Sequence, residues 1–111
     1  MESFNFSLTF NHVLLRPGYS GFDRSEISCE TKLTRNITLK SPFVSSPMDT
    51  VTESRLAIAL AKEGGIGIIH RNLTIEQQSA EVGIVKKAGY LVGAAVGSSS
   101  GYEDRVKSVI E

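Results

Sequence analysis

Three short apolar runs, each followed by the same kind of helix-start signal, constrain this chain more than anything else in it. The runs are Phe43-Val44, GIGIIH from Gly65 to His70, and YLVGAAVG from Tyr90 to Gly97. Behind them stand Thr50 with Glu53, Thr74 with Gln77, and Ser100 with Glu103, each a Ser/Thr-x-x-Glu/Gln box. In such a box the first side chain accepts a bond from a free N–H of the first helical turn, and the fourth reaches back to the first residue's N–H. One match says little. Three, each directly after an apolar run, predict a repeating strand–helix unit. Strands that alternate with helices make a parallel sheet, whose strands are apolar throughout because both faces are covered.

The stretches after the boxes carry helical periodicity. ESRLAIALAKEGG places Leu56, Ala59 and Leu60 on one stripe and ends at Gly64-Gly65, which suits a left-handed stop. TIEQQSAEVGIVKKAG buries Ile75, Val82 and Val85 and ends at Gly89, with Lys86 and Lys87 well placed in the last turn. YEDRVKSVIE has Val106, Val109 and Ile110 at helical spacing. Upstream the pattern differs: EISCETKL and NITLKSP alternate around Thr34-Arg35-Asn36, which predicts an antiparallel hairpin. LRPGYSG, from Leu15 to Gly21, is loop chemistry.

Three parallel strands need cover on both faces and both edges, and 111 residues provide three helices and a hairpin. The expectation is an α/β chain that forms the N-terminal portion of a TIM (β/α)8 barrel, a fold of roughly 200 residues or more. A complete small open sheet is the alternative. With 12 basic and 12 acidic residues the net charge is zero and the signs are interspersed, so no basic footprint for nucleic acid or membrane exists. MESFNFSLTF lacks the features of a signal peptide, and no apolar run approaches the ~20 residues of a membrane span. A single cysteine, Cys29, excludes an intrachain disulfide, and a cytoplasmic protein is expected.

In parallel α/β folds, ligands bind at the carboxyl ends of the strands. That rule gathers Ser45, Ser46, Met48 and Asp49 from the first unit, His70 and Asn72 from the second, and Ser98 to Ser100 from the third onto one rim. Pro47 has no N–H and helps end the ladder. Each residue also has a plainer role: Ser46 as a loop hydroxyl, Met48 as core filler, Asp49 in preparing a helix start, His70 as a satisfied structural histidine. The Ser98–Gly101 loop offers N–H groups to an anion but lacks the lysine of a nucleotide P-loop. GGIGIIH contains a Gly-x-Gly, yet its glycines precede or lie inside the strand, where the dinucleotide fingerprint does not have them. Cys29 falls in the hairpin with no neighbouring histidine and reads as structural, and His12 carries no recognisable pattern.

The stretches LTFNHVLLRPGYS, TKLTRNITLKSPFVSSPMDTVTESRLAIALAKEGGIGIIHRN, IEQQSAEV and LVGAAVG occur in order over nearly the whole chain. Together they resemble the amino-terminal part of the inosine-5′-monophosphate (IMP) dehydrogenases. The GMP reductases share the Met-Asp-Thr-Val core but usually read Asn where Pro47 stands, and are the second choice. The resemblance implies a (β/α)8 barrel, usually a homotetramer, that oxidises IMP to XMP with NAD on the route to guanine nucleotides. In that family a cysteine thiolate attacks C2 of the base, hydride passes to NAD, and the thioimidate is hydrolysed. Carried over by position, Ser46 and Met48 match nucleotide contacts, and His70 matches a histidine beside the nucleotide and nicotinamide pocket.

The resemblance also marks departures. The family normally inserts paired regulatory CBS modules between the EQQSAEV helix and the LVGAAVG strand; here only IVKKAGY intervenes, so no CBS domain is expected between Lys87 and Leu91. The nucleophile loop of the form Gly-Ser-x-Cys-x-Thr is absent, as are the cofactor-binding aspartate and the flap arginine, which come later in the family. The family's monovalent cation, K+, likewise finds no ligands in this segment. Asn11-His12 stands where the family more often has two acidic residues. The chain is therefore expected to supply one wall of a nucleotide pocket, to need the remainder of the barrel, and to be inactive alone; a non-catalytic barrel fragment is the further alternative.

Overall fold

The computed structural model describes residues 7–98 and 100–110. After two short 3-10 turns, Phe10–His12 and Arg24–Glu26, come β1 (Thr31–Lys32), β2 (Thr38–Leu39), α1 (Ser54–Lys62), β3 (Gly67–Ile69), α2 (Ile75–Lys87), β4 (Val92–Ala94) and α3 (Tyr102–Ile110).

β3 and β4 pair in parallel, Gly67 opposite Val92 and Ile69 opposite Ala94. The first apolar run joins the other edge of β3 through a single parallel bridge, Val44 to Ile66. Two bonds build it, Ser45 N to Ile66 O at 3.1 Å and Ile66 N to Phe43 O at 3.0 Å. Prolines 42 and 47 bracket this stretch and lack the N–H a longer ladder would use. One step further on, the Ser45 hydroxyl itself accepts from Ile68 N at 3.0 Å, taking the place of a strand carbonyl. The expected third strand is therefore present but reduced to a bridge.

The helix starts divide. The Thr74–Gln77 box forms in both directions, Gln77 N to Thr74 Oγ1 at 3.2 Å and Thr74 N to Gln77 Oε1 at 3.0 Å. The Thr50–Glu53 box does not form. Thr50 takes a left-handed backbone at φ 59 and turns its hydroxyl to the Asp49 carbonyl. α1 starts at Ser54, and its N-cap residue Glu53 makes no side-chain cap bond. The cap arrives from another helix: Ser54 N donates to Glu81 Oε2 of α2 at 2.6 Å. The Ser100–Glu103 box is out of register, because α3 starts at Tyr102 after Gly101 at φ 85. The helix ends follow the sequence more closely. Gly64 and Gly89 take left-handed conformations, and the pairs Gly65 N to Leu60 O with Gly64 N to Ala61 O, and Tyr90 N to Val85 O with Gly89 N to Lys86 O, complete two Schellman turns.

The core is Ala57, Ile69, Val82 and Val85, with Ile58, Leu73, Tyr90, Val92, Ala94 and Val109 packed around it. For α1 this corrects the expected stripe: Ala57 is the buried position, Leu60 is half-buried, and Leu56 and Ala59 are exposed. The cause is a close approach. A Cβ on Gly67 would run into the Cα and Cβ of Ala57, so a small residue on each side brings α1 down onto β3 and fixes its rotation. On α2, Val82 and Val85 are buried as expected and Ile75 is half-buried. On α3, Val106 and Val109 are half-buried, whereas Ile110 is exposed.

The hairpin forms with Thr31 opposite Leu39 and Lys32 opposite Thr38, closed by Leu33 N to Ile37 O at 2.9 Å. It is shorter than its alternating pattern, for residues 27–30 do not pair. Ser41 N to Gly64 O at 3.1 Å ties its exit to the end of α1. Upstream, Phe10, Leu14, Leu15 and Tyr19 are at least 95% exposed.

The contact between Gly67 and Ala57 predicts that Gly67→Ala is destabilising by about 1–3 kcal/mol, since the obstacle is backbone that cannot swing aside. The shift of the urea midpoint checks this. Gly83→Ala serves as the control, because nothing lies within 4 Å of a Cβ there.

Candidate functional site at the carboxyl ends of the strands

The residues singled out in the sequence lie in three loops: Ser45–Glu53 ahead of α1, His70–Thr74 after β3, and the stretch between Ala94 and Tyr102. Ser99, part of the anion-loop reading, lies outside the described residues.

The first loop is built around two carbonyls. Ser46 O accepts from Met48 N at 2.8 Å and from the Thr52 hydroxyl at 2.6 Å. Met48 O accepts from Val51 N and Thr52 N, each at 3.1 Å. Thr52 is fully buried, and its own carbonyl accepts from His70 N at 3.4 Å, which joins the first loop to the second. With the backbone so engaged, the side chains of Ser46 and Met48 remain exposed, Met48 at 57%. Among the described residues the Ser46 hydroxyl makes no hydrogen bond. Thr50, at positive φ, is β-branched, and such a residue in the left-handed region carries strain of about 1–3 kcal/mol that surrounding contacts must hold.

His70 is 1% exposed. Its Nδ1 accepts from Asn72 N at 3.2 Å, so in the neutral ring the proton sits on Nε2. Nε2 faces two carboxylates, Glu53 Oε1 at 3.4 Å and Asp49 Oδ1 at 3.8 Å. The other oxygen of Asp49 accepts a hydrogen bond from the side-chain amide of Asn72. Both ring nitrogens thus face partners within the chain.

Beside this cluster, a cavity of about 510 Å³ opens between the loops that follow β3 and β4. Its lining includes Arg71, Asn72, Val96, Ser100, Tyr102 and Arg105. Among the described residues, no group of three or more His, Cys, Asp or Glu side chains is arranged to hold a metal ion. Cys29 is a free, exposed thiol.

One residue of the rim escaped the sequence reading. Gln78 of α2 is fully buried, and its amide donates to the carbonyls of Ala95 at 2.9 Å, His70 at 3.1 Å and Ile69 at 3.4 Å. Its oxygen accepts from Arg105 Nη1 at 2.9 Å, and Arg105 Nη2 reaches Leu73 O at 3.0 Å. A signal was available: Gln78 lies three residues after Ile75 and four before Val82, on the apolar stripe of its helix, where a polar side chain needs a built partner.

A parallel α/β unit with polar side chains gathered at the carboxyl ends of its strands has the layout of a ligand-binding α/β domain. The profile of one family, described as the IMP dehydrogenase / GMP reductase domain, matches residues 7–111, and the chain belongs to that family. It is 55% identical over 86 residues to the inosine-5'-monophosphate dehydrogenase of Schizosaccharomyces pombe, covering 78% of this chain and 16% of that one. It is 58% identical over 87 residues to the protein of that name from Nitrosopumilus maritimus, covering 78% and 18%. The corresponding protein of Aquifex aeolicus is 60% identical over 81 residues, covering 73% and 16%. The chain therefore spans less than a fifth of the length of these relatives.

Gln78→Leu is expected to lower stability by about 2–3 kcal/mol, because it strips buried carbonyls and the Arg105 guanidinium of a partner at once. Chemical denaturation measures the loss, and faster exchange of the Ala95 amide locates it at the strand ends.

Proposed function

We propose that this chain is the opening part of a (β/α)8 barrel which, together with the remainder of that barrel, oxidises IMP to XMP with NAD. The observation that carries this is the Ser45–Glu53 loop. Its backbone is tied down at the carboxyl end of the sheet, while the Ser46 hydroxyl and the Met48 thioether are left exposed for a ligand. In this reading Ser46 donates to the nucleotide's polar edge and Met48 packs on the purine. His70 forms the buried floor on the nicotinamide side. NAD, when bound, would supply the hydride acceptor for oxidation of the purine. The cavity wall that carries Arg71 and Arg105 suits the negatively charged part of the dinucleotide, so the donor set fits that cofactor. No step of catalysis is assigned to a residue of this segment, and the K+ that the family implies is expected to take its ligands from the remainder of the barrel.

Three further expectations go with the proposal: a homotetramer, a cytoplasmic location, and no CBS module between Lys87 and Leu91, where Ala88 to Leu91 alone connect α2 to β4. No helix among the described residues is long and apolar enough to cross a membrane. The second reading, a GMP reductase that deaminates GMP with NADPH, stays within the same family. The Ser45-Ser46-Pro47 sequence argues against it.

The experiment is turnover by the complete polypeptide that carries this segment. IMP with NAD is expected to yield XMP and NADH. GMP with NADPH yielding IMP and ammonia instead would establish the second reading. Within the active protein, Ser46→Ala is expected to raise KM for IMP about tenfold, the equivalent of one lost hydrogen bond to a charged or strongly polar group.

A further inference from the structure

Asp49 lies between Met48 and the strained Thr50, and its half-exposed carboxylate reaches across the sheet end to the second loop. One oxygen accepts from the side-chain amide of Asn72 and the other lies 3.8 Å from Nε2 of His70. Asn72 and His70 both follow β3, so this carboxylate links two loops whose paired residues are 23 positions apart in the chain. This bond joins the two loops side chain to side chain, beside the main-chain link from His70 N to the Thr52 carbonyl. On its other side, Thr50 stands at φ 59, a conformation that a β-branched residue leaves unless its neighbours hold it. The Met48 carbonyl closes the turn from within the loop through Val51 N and Thr52 N, and Asn72 braces it from the neighbouring loop through Asp49.

We infer that Asp49 and Asn72 are positioning residues: their cross-loop bond sets where Ser46 and Met48 meet the purine nucleotide, and neither residue touches it. The inference rests on the proposed binding of IMP. Glu53 shares His70 at 3.4 Å, so the ring keeps a carboxylate partner when Asp49 is altered, which separates the clasp from the burial of His70. The clasp acts on binding of the ground state and the transition state alike. Its loss therefore appears in KM and leaves kcat nearly unchanged.

A charge exchange in the complete polypeptide tests this. Asn72→Asp alone sets two carboxylates against each other, and is expected to raise KM for IMP about tenfold with kcat within about twofold. Asn72→Ala, which removes the donor without adding charge, moves KM in the same direction by about fivefold. Adding Asp49→Asn to Asn72→Asp rebuilds the bond with donor and acceptor exchanged, and brings KM back to within about threefold of the unaltered protein. An unchanged KM in both single variants overturns the inference, and so does a double variant that stays as impaired as Asn72→Asp. If the unaltered protein does not turn over IMP, the functional reading fails by itself. Amide exchange then decides the clasp: Val51 and Thr52 exchange about tenfold faster in Asn72→Asp and recover in the double variant. Equal rates in all three proteins overturn it.

Discussion

The buried amide of Gln78 holds the working end of this molecule together. β3 and β4 contribute three residues each, so the ladder between them is short and its last bond, Ala95 N to Ile69 O at 2.9 Å, lies where the chains begin to diverge. Beyond that point strand carbonyls have no ladder partner, and a buried carbonyl left alone costs about 1–3 kcal/mol. Gln78 meets those carbonyls from α2 and passes the connection to α3 through Arg105. Sheet, middle helix and last helix therefore share one polar junction directly beneath the loops that form the rim. The rim inherits its geometry from a side chain that no ligand would touch.

The same economy shows in the two helix starts. α2 makes its own cap from Thr74 and Gln77, three residues apart, and needs nothing from the rest of the fold. α1 starts without one because the residues that would have capped it are employed elsewhere. Thr50 is bent into the left-handed region, Thr52 holds the Ser46 carbonyl, and Glu53 faces His70. The free N–H at its start is met instead by Glu81 from across the helix pair. A carboxylate near a helix N-terminus also opposes the positive end of the helix dipole. Local helix chemistry has thus been displaced by loop chemistry at the strand end that carries the exposed Ser46 and Met48 side chains.

This explains which features the sequence disclosed. The order of strands and helices, the glycine stops at Gly64 and Gly89, the Thr74 cap and the hairpin turn all depend on residues close together in the chain. Each was readable from spacing alone. The Ser100–Glu103 box failed locally, at Gly101, but the other main departures involve partners far apart in sequence. The Ala57–Gly67 approach rotated α1 away from the stripe its leucines suggested, Glu81 replaced a local cap, and Ser45 filled a ladder position with its hydroxyl. At the site, the gathering of Ser46, Met48, His70 and Asn72 at one end followed from the rule for parallel sheets. The carboxylates around His70 and the burial of Gln78 did not, because no spacing rule brings Asp49 to Asn72 or α2 to the ends of two strands.

The exposed arm ahead of the hairpin has a consequence for how the chain is made. Phe10, Leu14, Leu15 and Tyr19 are synthesised before every helix described here, and no later part of the described fold covers them. During synthesis they leave the ribosome as a greasy, unpaired tether at a time when nothing downstream exists to shelter it. Nascent chains of that kind are natural clients for holdase chaperones and, when overproduced, tend to stick to one another.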